Sequence, residues 1–160
     1  MKIHTFIDYY ENEVNLVFDD SPFSKNPGHV WVICRYENKW LLTRHSRRGL
    51  EFPGGKVEKG ETAKEAAMRE VWEETGGVIA NINQIGQYRV HGRSEVIVKS
   101  LFFATIDKLE KKEDYLETKG PVLLSTLPEG IQQDEDFSFI MKDDVLTRAL
   151  SYIEKTGYLQ

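Results

Sequence analysis

The chain has 160 residues, 40% of them hydrophobic and 29% charged, with a formal net charge of −5 at pH 7. This length predicts a single domain over residues 1–160, and the acidic balance argues against a protein that coats nucleic acid. A nucleotide ligand stays open, because a cation can mediate contact with phosphates. No segment is long and apolar enough for a membrane span or a signal peptide, so we expect a soluble cytoplasmic protein. Cys34 is the only cysteine, which excludes an intramolecular disulfide.

Apolar runs and turn residues along the chain predict an α/β fold, in which a mixed sheet lies between helices. Strands are expected over residues 14–18, 29–36, 39–44, 79–90, 96–106 and 122–125. Residues 51–57 form a short extended piece, which Pro53, Gly54 and Gly55 interrupt. The charged segment 108–119 is expected to be a loop or a short helix, and residues 143–155 show the apolar spacing of a C-terminal helix.

The best-marked helix begins after Thr62. Thr62 and Glu65 have the spacing of a capping box, and Gly76 with Gly77 provides a stop signal. An apolar stripe is predicted to pack on the sheet. Its members are Ala67, Met68, Val71 and Trp72. The acidic residues of the helix lie on a different arc, so we expect them to face a cleft.

Three acidic residues of this helix, Glu70, Glu73 and Glu74, stand at positions i, i+3 and i+4. This spacing places them on one helical face. Such a cluster is often just a solvated surface, but here no lysine follows at the stabilising i+4 spacing. Like charges held this close repel one another, and a divalent cation neutralises them. Gly54 and Gly55 precede the helix and permit close approach of the backbone to a cation. The segment therefore predicts a Mg²⁺ or Mn²⁺ site.

Residues 54–78 resemble the signature of the Nudix hydrolase family, G-x5-E-x7-R-E-U-x-E-E-x-G-U, where U is a bulky apolar residue. The matching positions are Gly55, Glu61, Arg69, Glu70, Val71, Glu73, Glu74 and Gly76. One position departs from the signature, since Gly77 stands where an apolar residue is expected and Val78 follows it. The departure concerns the packing of the helix end and leaves every acidic position of the signature unchanged.

The segment EFPGGK, residues 51–56, resembles the MutT-type branch of this family, and the likeness extends over nearly the whole chain. The resemblance implies an α/β/α sandwich with a mixed central sheet, the signature helix and a C-terminal helix. It also implies metal-dependent hydrolysis of (deoxy)nucleoside triphosphates, including oxidised guanine nucleotides such as 8-oxo-dGTP, to monophosphate and pyrophosphate. The implied cofactor is Mg²⁺, with Mn²⁺ as the alternative. Neither a membrane nor an obligate protein partner is implied.

The resemblance assigns the cation ligands to the acidic cluster and to the carbonyl of Gly54. Glu70 and Glu73 are candidates for activating water. Glu61 and Arg69 belong to the same catalytic segment, where an ion pair between them would fix the loop against the helix. Glu117 is a candidate further metal ligand or base; the alternative is a solvated acid in a charged loop.

Three further residues are candidates for binding substrate. Arg44 and Lys56 would contact phosphates, although Arg44 fits a surface arginine equally well. Phe52 would line a base pocket, although an aromatic residue before a proline is often part of the core. The four histidines show no paired metal-binding spacing, so no role is assigned to them.

Two other functions are consistent with the sequence. The first is removal of pyrophosphate from the 5′ end of triphosphorylated RNA, for which a groove with basic residues is needed. Candidates are Arg47, Arg48, Arg89 and Arg93. The second is a binding module that has lost catalysis, which is disfavoured because the signature keeps all its acids. ADP-ribose hydrolases of the family tend to carry a proline soon after the signature, and none occurs here between Pro53 and Pro121.

Overall fold

The computed structural model describes residues 2–20 and 22–159. Within these residues, nine strands form one mixed sheet and two α-helices pack on it. The strands are β1 His4–Ile7, β2 Glu13–Val17, β3 His29–Tyr36, β4 Lys39–His45, β5 Gly49–Glu51, β6 Gly54–Lys56, β7 Gly77–His91, β8 Val96–Leu109 and β9 Thr118–Leu124; the helices are α1 Ala63–Thr75 and α2 Asp144–Lys155. Short 3₁₀ turns cover Ile131–Gln133 and Phe139–Met141.

The strand order is β1-β2-β7-β8-β3-β4-β5, with β6 paired to β3 and β9 paired to β4. β3 and β8 run parallel, whereas the other pairs are antiparallel. The predicted α/β class and mixed sheet are confirmed. The short strand β6 places Gly54 opposite Trp31, so the glycine turn that precedes α1 is fixed against the middle of the sheet.

Alternating side chains of the central strands build a separate core on each face of the sheet. On β3, Trp31 and Ile33 join α2 in the larger core. Val30, Val32 and Cys34 point the other way and join α1. α2 follows the predicted spacing, with Val145, Leu146, Ala149 and Ile153 buried. The sheet therefore lies between the two helices, as the sequence predicted.

α1 begins and ends as predicted, but the prediction of its buried face was partly wrong. The capping box of Thr62 and Glu65 forms, and Gly76 ends the helix in the left-handed conformation. Met68 and Trp72 are exposed rather than packed on the sheet, and the Trp72 ring lies under the ammonium group of Lys112. The buried positions are Ala66, Ala67, Val71, Glu74 and Thr75. Small side chains let the helix lie close to the sheet, which turns Glu74 inward.

Two other expectations differ from the structure at the strand level. β1 was not predicted, and its half-buried and exposed side chains alternate as expected at a sheet edge. β9 begins at Thr118, inside the segment predicted as a charged loop, because its residues pair with β4 from Trp40 to His45. That residues 1–160 form one domain stays a prediction, and residues 1, 21 and 160 lie outside the described part. No helix in the described residues is both long and apolar enough to span a membrane.

The helix stop at Gly76 gives a prediction about stability. Gly76 has φ +73°, and a Cβ atom there would overlap the carbonyl oxygen of Glu110. Gly60 has φ +83°, but a Cβ there would meet open space. Gly60→Ala should therefore cost only the conformational term of about 1–2 kcal/mol. Gly76→Ala should cost measurably more in the free energy of unfolding, determined by urea denaturation. Equal losses in the two variants would contradict the tight packing at Gly76.

Candidate active site

A cleft of about 750 Å³ lies between β6, which holds Gly54 and Gly55, the ends of β3 and β4, and the 3₁₀ turn Phe139–Met141. This volume falls within the range of roughly 300–1,000 Å³ seen for small-molecule sites. Its acidic lining residues are Glu51, Glu58, Glu70, Glu73, Glu74 and Glu117, and its basic ones are His29, His45, Arg48, Lys56, Arg69 and Lys99. The cleft therefore contains the predicted acidic cluster together with further acidic and basic side chains.

Glu74 occupies the most enclosed position of the acidic cluster. It is 8% exposed, and its Oε2 atom accepts a hydrogen bond from the N–H of Gly54 at 3.3 Å. The hydroxyls of Thr43 and Thr118 each donate to its backbone carbonyl at 3.1 Å. These bonds satisfy a carbonyl that the helix end leaves without a partner. Strands β4 and β9 thereby fix the last turn of α1 and the position of its carboxylates.

Glu70 fits against the glycine turn that faces α1. A Cβ atom on Gly55 would overlap the carboxylate at the end of the Glu70 side chain, so a larger residue here would require that carboxylate to move. The N–H of Gly54 also points at the cluster, through Glu74. The glycine pair therefore shapes a space that carboxylate oxygens fill.

Burial and mutual repulsion raise the pKa values of two of these acids. Burial, followed by the charges of Glu70 and Glu51, raises the pKa of Glu74 to about 9. Burial, together with the charge of Glu73 and despite the lowering by Arg69, raises the pKa of Glu70 to about 7. Both shifts mean that burial, together with neighbouring negative charge, disfavours the ionised carboxylates. A cation in the cleft would favour them.

Arg69 is the positive charge that contacts the cluster directly. Its Nε donates to Glu61 at 2.6 Å, and its Nη1 donates to Glu70 at 2.8 Å and lies 3.3 Å from Glu73. Its Nη2 donates to the carbonyl of Lys56 at 2.9 Å. The predicted ion pair of Arg69 with Glu61 is thus present in the structure. One guanidinium group connects the loop, the glycine turn and the helix.

The donor set fits a hard divalent cation, because carboxylate and carbonyl oxygens are the ligands that Mg²⁺ prefers. Within residues 2–20 and 22–159, no three acidic, histidine or cysteine side chains form a ready-made metal geometry. Glu70 and Glu73 instead accept hydrogen bonds from Arg69. The cradle at Gly55 and the raised pKa values of Glu70 and Glu74 make this the place where a cation would be stabilised.

The opposite wall carries residues that sequence reasoning largely missed. Arg48 donates to buried Glu51 through two hydrogen bonds, of 3.0 Å from Nε and 2.9 Å from Nη2. Such bidentate pairs hold both groups in a fixed orientation. Arg48 had been considered only as an RNA contact, and Glu51 had no role. The arginine and the glutamate stand three residues apart, which is the one signal in the sequence that pointed to this pair.

His45 supports the same wall. Its Nδ1 accepts the backbone N–H groups of Arg47 and Arg48 at 3.2 and 3.1 Å, so Nε2 carries the proton of the neutral ring. That Nε2 lies 4.0 Å from Oε2 of Glu117. Glu117 lines the cleft with a side chain that is 87% exposed. Its predicted metal role stays a prediction, because its carboxylate is near His45 rather than joined to the acids of α1.

Two further basic residues face the cleft without having been predicted. The Nδ1 atom of His29 is buried and has no hydrogen-bond partner in the described part of the chain. Burial and the charges of Lys99 and Lys56 lower the pKa of His29. Burial also lowers the pKa of Lys99. His29 shows no spacing pattern, which is why only the fold reveals it.

The three predicted substrate contacts have different surroundings. Lys56 lines the cleft and is exposed. Phe52 also lines it but is buried, its ring contacting those of Trp31 and Trp40 edge to face. Arg44 lies outside the cleft lining, where it forms two hydrogen bonds with Asp136, of 2.7 and 3.2 Å. The structure therefore gives Arg44 a surface ion pair, and Arg48 is the arginine of this segment that faces the cleft.

Comparison with known proteins agrees with this geometry. The NUDIX domain model matches residues 25–120. A Bacillus subtilis protein provisionally named 8-oxo-dGTP diphosphatase YtkD is 56% identical over 158 residues, covering 99% of this chain and 100% of its own. The ADP-ribose pyrophosphatase of the same organism is 31% identical, covering 96% and 88%. The crystal structure of the B. subtilis pyrophosphohydrolase BsRppH, solved as a point mutant, has a TM-score of 0.97 and 55% identity over 98% of this chain and 99% of its own. The chain therefore belongs to the NUDIX family and is a Nudix hydrolase.

Proposed function

We propose that this Nudix hydrolase converts (deoxy)nucleoside triphosphates, 8-oxo-dGTP among them, to monophosphate and pyrophosphate with the help of Mg²⁺, Mn²⁺ being the alternative. The observation that carries the proposal is the position of Glu70, Glu73 and Glu74 on one wall of a cleft whose other side is lined by basic side chains. The name of the 56% identical relative supports the choice of substrate.

Glu70, Glu73 and Glu74 are the proposed cation ligands, with the carbonyl of Gly54 and the carboxylate of Glu117 as further candidates. A divalent cation bound there offsets the charge of the polyphosphate and makes water easier to deprotonate. Phosphoryl transfer needs mainly positioning and charge stabilisation from the protein. The fixed helix end at Thr43 and Thr118 supplies the positioning.

Within this site, Glu70 and Glu73 are the candidate proton acceptors for the attacking water. Arg69 and Glu61 hold the loop and helix together and act through Glu70 and Glu73. Arg48, Lys56 and Lys99 are the candidate phosphate contacts, and Phe52 is the candidate for lining a base pocket.

A second candidate reaction is removal of pyrophosphate from the 5′ end of triphosphorylated RNA, which uses the same bond cleavage. The 55% identical structure carries the name pyrophosphohydrolase, which fits either substrate. The observation that favours RNA is structural: Phe139, which lines the cleft, contacts an exposed tyrosine outside it. A longer substrate therefore has an aromatic surface onto which it can extend.

A comparison of specificity constants tests the proposed reaction. GTP, dGTP, 8-oxo-dGTP, ADP-ribose and a 5′-triphosphorylated RNA would each be assayed with Mg²⁺. We expect pyrophosphate, rather than phosphate, as the released product from the triphosphates. A kcat/KM that is highest for ADP-ribose, or phosphate as the main product, would contradict the proposal.

Replacement of one acid tests the catalytic cluster. Glu74→Gln keeps the shape of the side chain but removes its charge, so we expect kcat to fall about 100-fold or more, with the far-ultraviolet circular dichroism spectrum unchanged. Glu154→Gln, an exposed acid on α2, is the matched control and should retain full activity. Wild-type turnover with normal magnesium dependence in Glu74→Gln would refute the assignment.

The same variant gives a prediction that does not depend on turnover. Without a cation, the pKa of Glu74 is about 9 in the folded protein against a usual value of 4.5. The folded state therefore binds this proton more tightly than the unfolded state, and the free energy of unfolding falls as pH rises from about 5 to 9. Glutamine removes that loss. In EDTA at pH 8, Glu74→Gln should have a higher Tm than the wild type.

Added Mg²⁺ should reverse this order, because a cation that binds only the folded state raises its stability. We expect Mg²⁺ to raise the Tm of the wild type by more than that of Glu74→Gln, measured by scanning calorimetry. An equal shift in both proteins would show that Glu74 does not contribute to a cation site.

A further inference from the structure

A second cavity, of about 330 Å³, lies between α2, β1 and the residue that follows β2. Its lining residues differ from those of the cleft throughout the described part of the chain. Four of them are basic, namely Lys2, His4, Arg148 and Lys155, and no described aspartate or glutamate lines the cavity. In a chain with a net charge of −5, this is a local concentration of positive charge.

Arg148 is held in this cavity by two neighbours. Its Nη1 donates to Nδ1 of His4 at 2.9 Å, and its guanidinium carbon lies 5.8 Å from the centroid of the Phe6 ring. Because burial and the charges of Arg148 and Lys2 lower the pKa of His4, the imidazole is neutral at pH 7 and can accept this bond. The guanidinium group is therefore already oriented, and it loses little further freedom when it binds an anion.

The cationic side chains of the cavity are not neutralised by acids. Among the ion pairs formed within residues 2–20 and 22–159, none includes Lys2, Arg148 or Lys155. Arg148 is half-buried, and the two lysines are exposed at the rim. Like charges gathered in this way repel one another, and an anion between them removes the repulsion. The cavity thus offers three cationic groups to a ligand.

Aromatic rings give the cavity a fixed shape. Phe18 and Tyr152 stack face to face, with 4.4 Å between ring centroids and an interplanar angle of 6°. The ring of His4 meets Phe18 edge to face at 5.8 Å. These contacts join β1 and the end of β2 to α2, and Ser151 adds a hydroxyl group to the lining. Since the two stacked rings already contact each other, the cationic groups are the main contacts left for a ligand.

We propose that this cavity is a second anion site, which binds a polyphosphate group outside the cleft. The inference goes beyond the proposed hydrolysis and does not depend on it. Arginine binds phosphate oxygens through parallel hydrogen bonds, and lysine binds them as a point charge. A single phosphate group carries roughly two negative charges at neutral pH, so three cationic groups suit a chain of phosphates better. Inorganic tripolyphosphate and the triphosphate of a nucleotide share this chemistry.

A ligand in this cavity would connect two elements of the fold. Lys2 and His4 belong to the N-terminal segment that forms β1, whereas Arg148 and Lys155 belong to α2. β1 is an edge strand whose side chains are half-buried or exposed, and such elements open more readily than a core strand. An anion that contacts both elements stabilises β1 against α2, so the backbone amides of β1 should exchange hydrogen more slowly when it is bound.

Calorimetric titration in EDTA tests the site, with inorganic tripolyphosphate and GTP as separate probes. Lys2→Gln with Lys155→Gln should raise the Kd about tenfold or more and leave kcat/KM for GTP with Mg²⁺ unchanged. Lys39→Gln with Lys111→Gln removes two exposed lysines elsewhere, and this matched control should keep the wild-type Kd. Arg148→Gln should also weaken binding; if that variant does not fold, the Lys2 and Lys155 pair decides. Hydrogen exchange followed by mass spectrometry should show slower exchange in β1 when the probe is bound.

The outcomes separate this site from the cleft and from general attraction between charges. Weaker binding of either probe to the Lys2 and Lys155 pair supports the site and identifies that probe as its ligand. An unchanged Kd for both probes, or an equal loss in the matched control, would overturn it. A parallel fall in kcat/KM would assign these lysines to the cleft instead, and unchanged exchange in β1 would place the bound anion elsewhere. None of these results bears on whether the cleft hydrolyses triphosphates.

Discussion

Glu74 joins the last turn of α1 to the sheet, and the geometry of the cleft depends on this attachment. Its carboxylate accepts from the glycine turn, and its backbone carbonyl accepts from Thr43 on β4 and Thr118 on β9. A carboxylate that is 8% exposed is costly to ionise. The fold nevertheless holds it there, with Glu70 and Glu73 on the same side of the helix. Acids whose pKa values are raised in this way cluster at functional sites.

The two arginines near the acids bind different partners. Arg69 contacts Glu61, Glu70 and Glu73 and so balances part of the negative charge while fixing the loop. Arg48 is committed to Glu51 on the facing wall. Neither arginine lowers the pKa of Glu74 to its usual value. The two arginines therefore do not fully stabilise the ionised acids. A divalent cation with a bound polyphosphate would stabilise them further.

The sequence predicted the parts of this arrangement that follow from local spacing. The capping box, the glycine stop and the shared face of the three acids are consequences of helix geometry and were confirmed. The inward face of α1 was partly mispredicted, because hydrophobicity alone favoured Met68 and Trp72 where close packing on the sheet required alanines. β9 was placed too late in the chain, because Lys119, Gly120 and Pro121 near its start do not have the pattern of a strand, which pairing with β4 nevertheless stabilises.

The residues on the facing wall of the cleft could not be predicted from the sequence. His29, His45, Glu51 and Lys99 come from separate strands and acquire a common surrounding only when β3, β4, β5 and β8 are side by side. Arg44, at the end of a predicted strand, was predicted to contact phosphates, yet it pairs with Asp136 outside the cleft lining. Long-range pairing, rather than residue type, decides which of two neighbouring arginines faces the site.

Anomalous diffraction from a crystal soaked with Mn²⁺ and a non-hydrolysable dGTP analogue tests the central claim most directly. We predict an anomalous peak within coordination distance of carboxylate oxygens from Glu70, Glu73 or Glu74, with the phosphates of the analogue on its other side. An analogue bound in the cleft with no manganese beside these side chains would contradict the account.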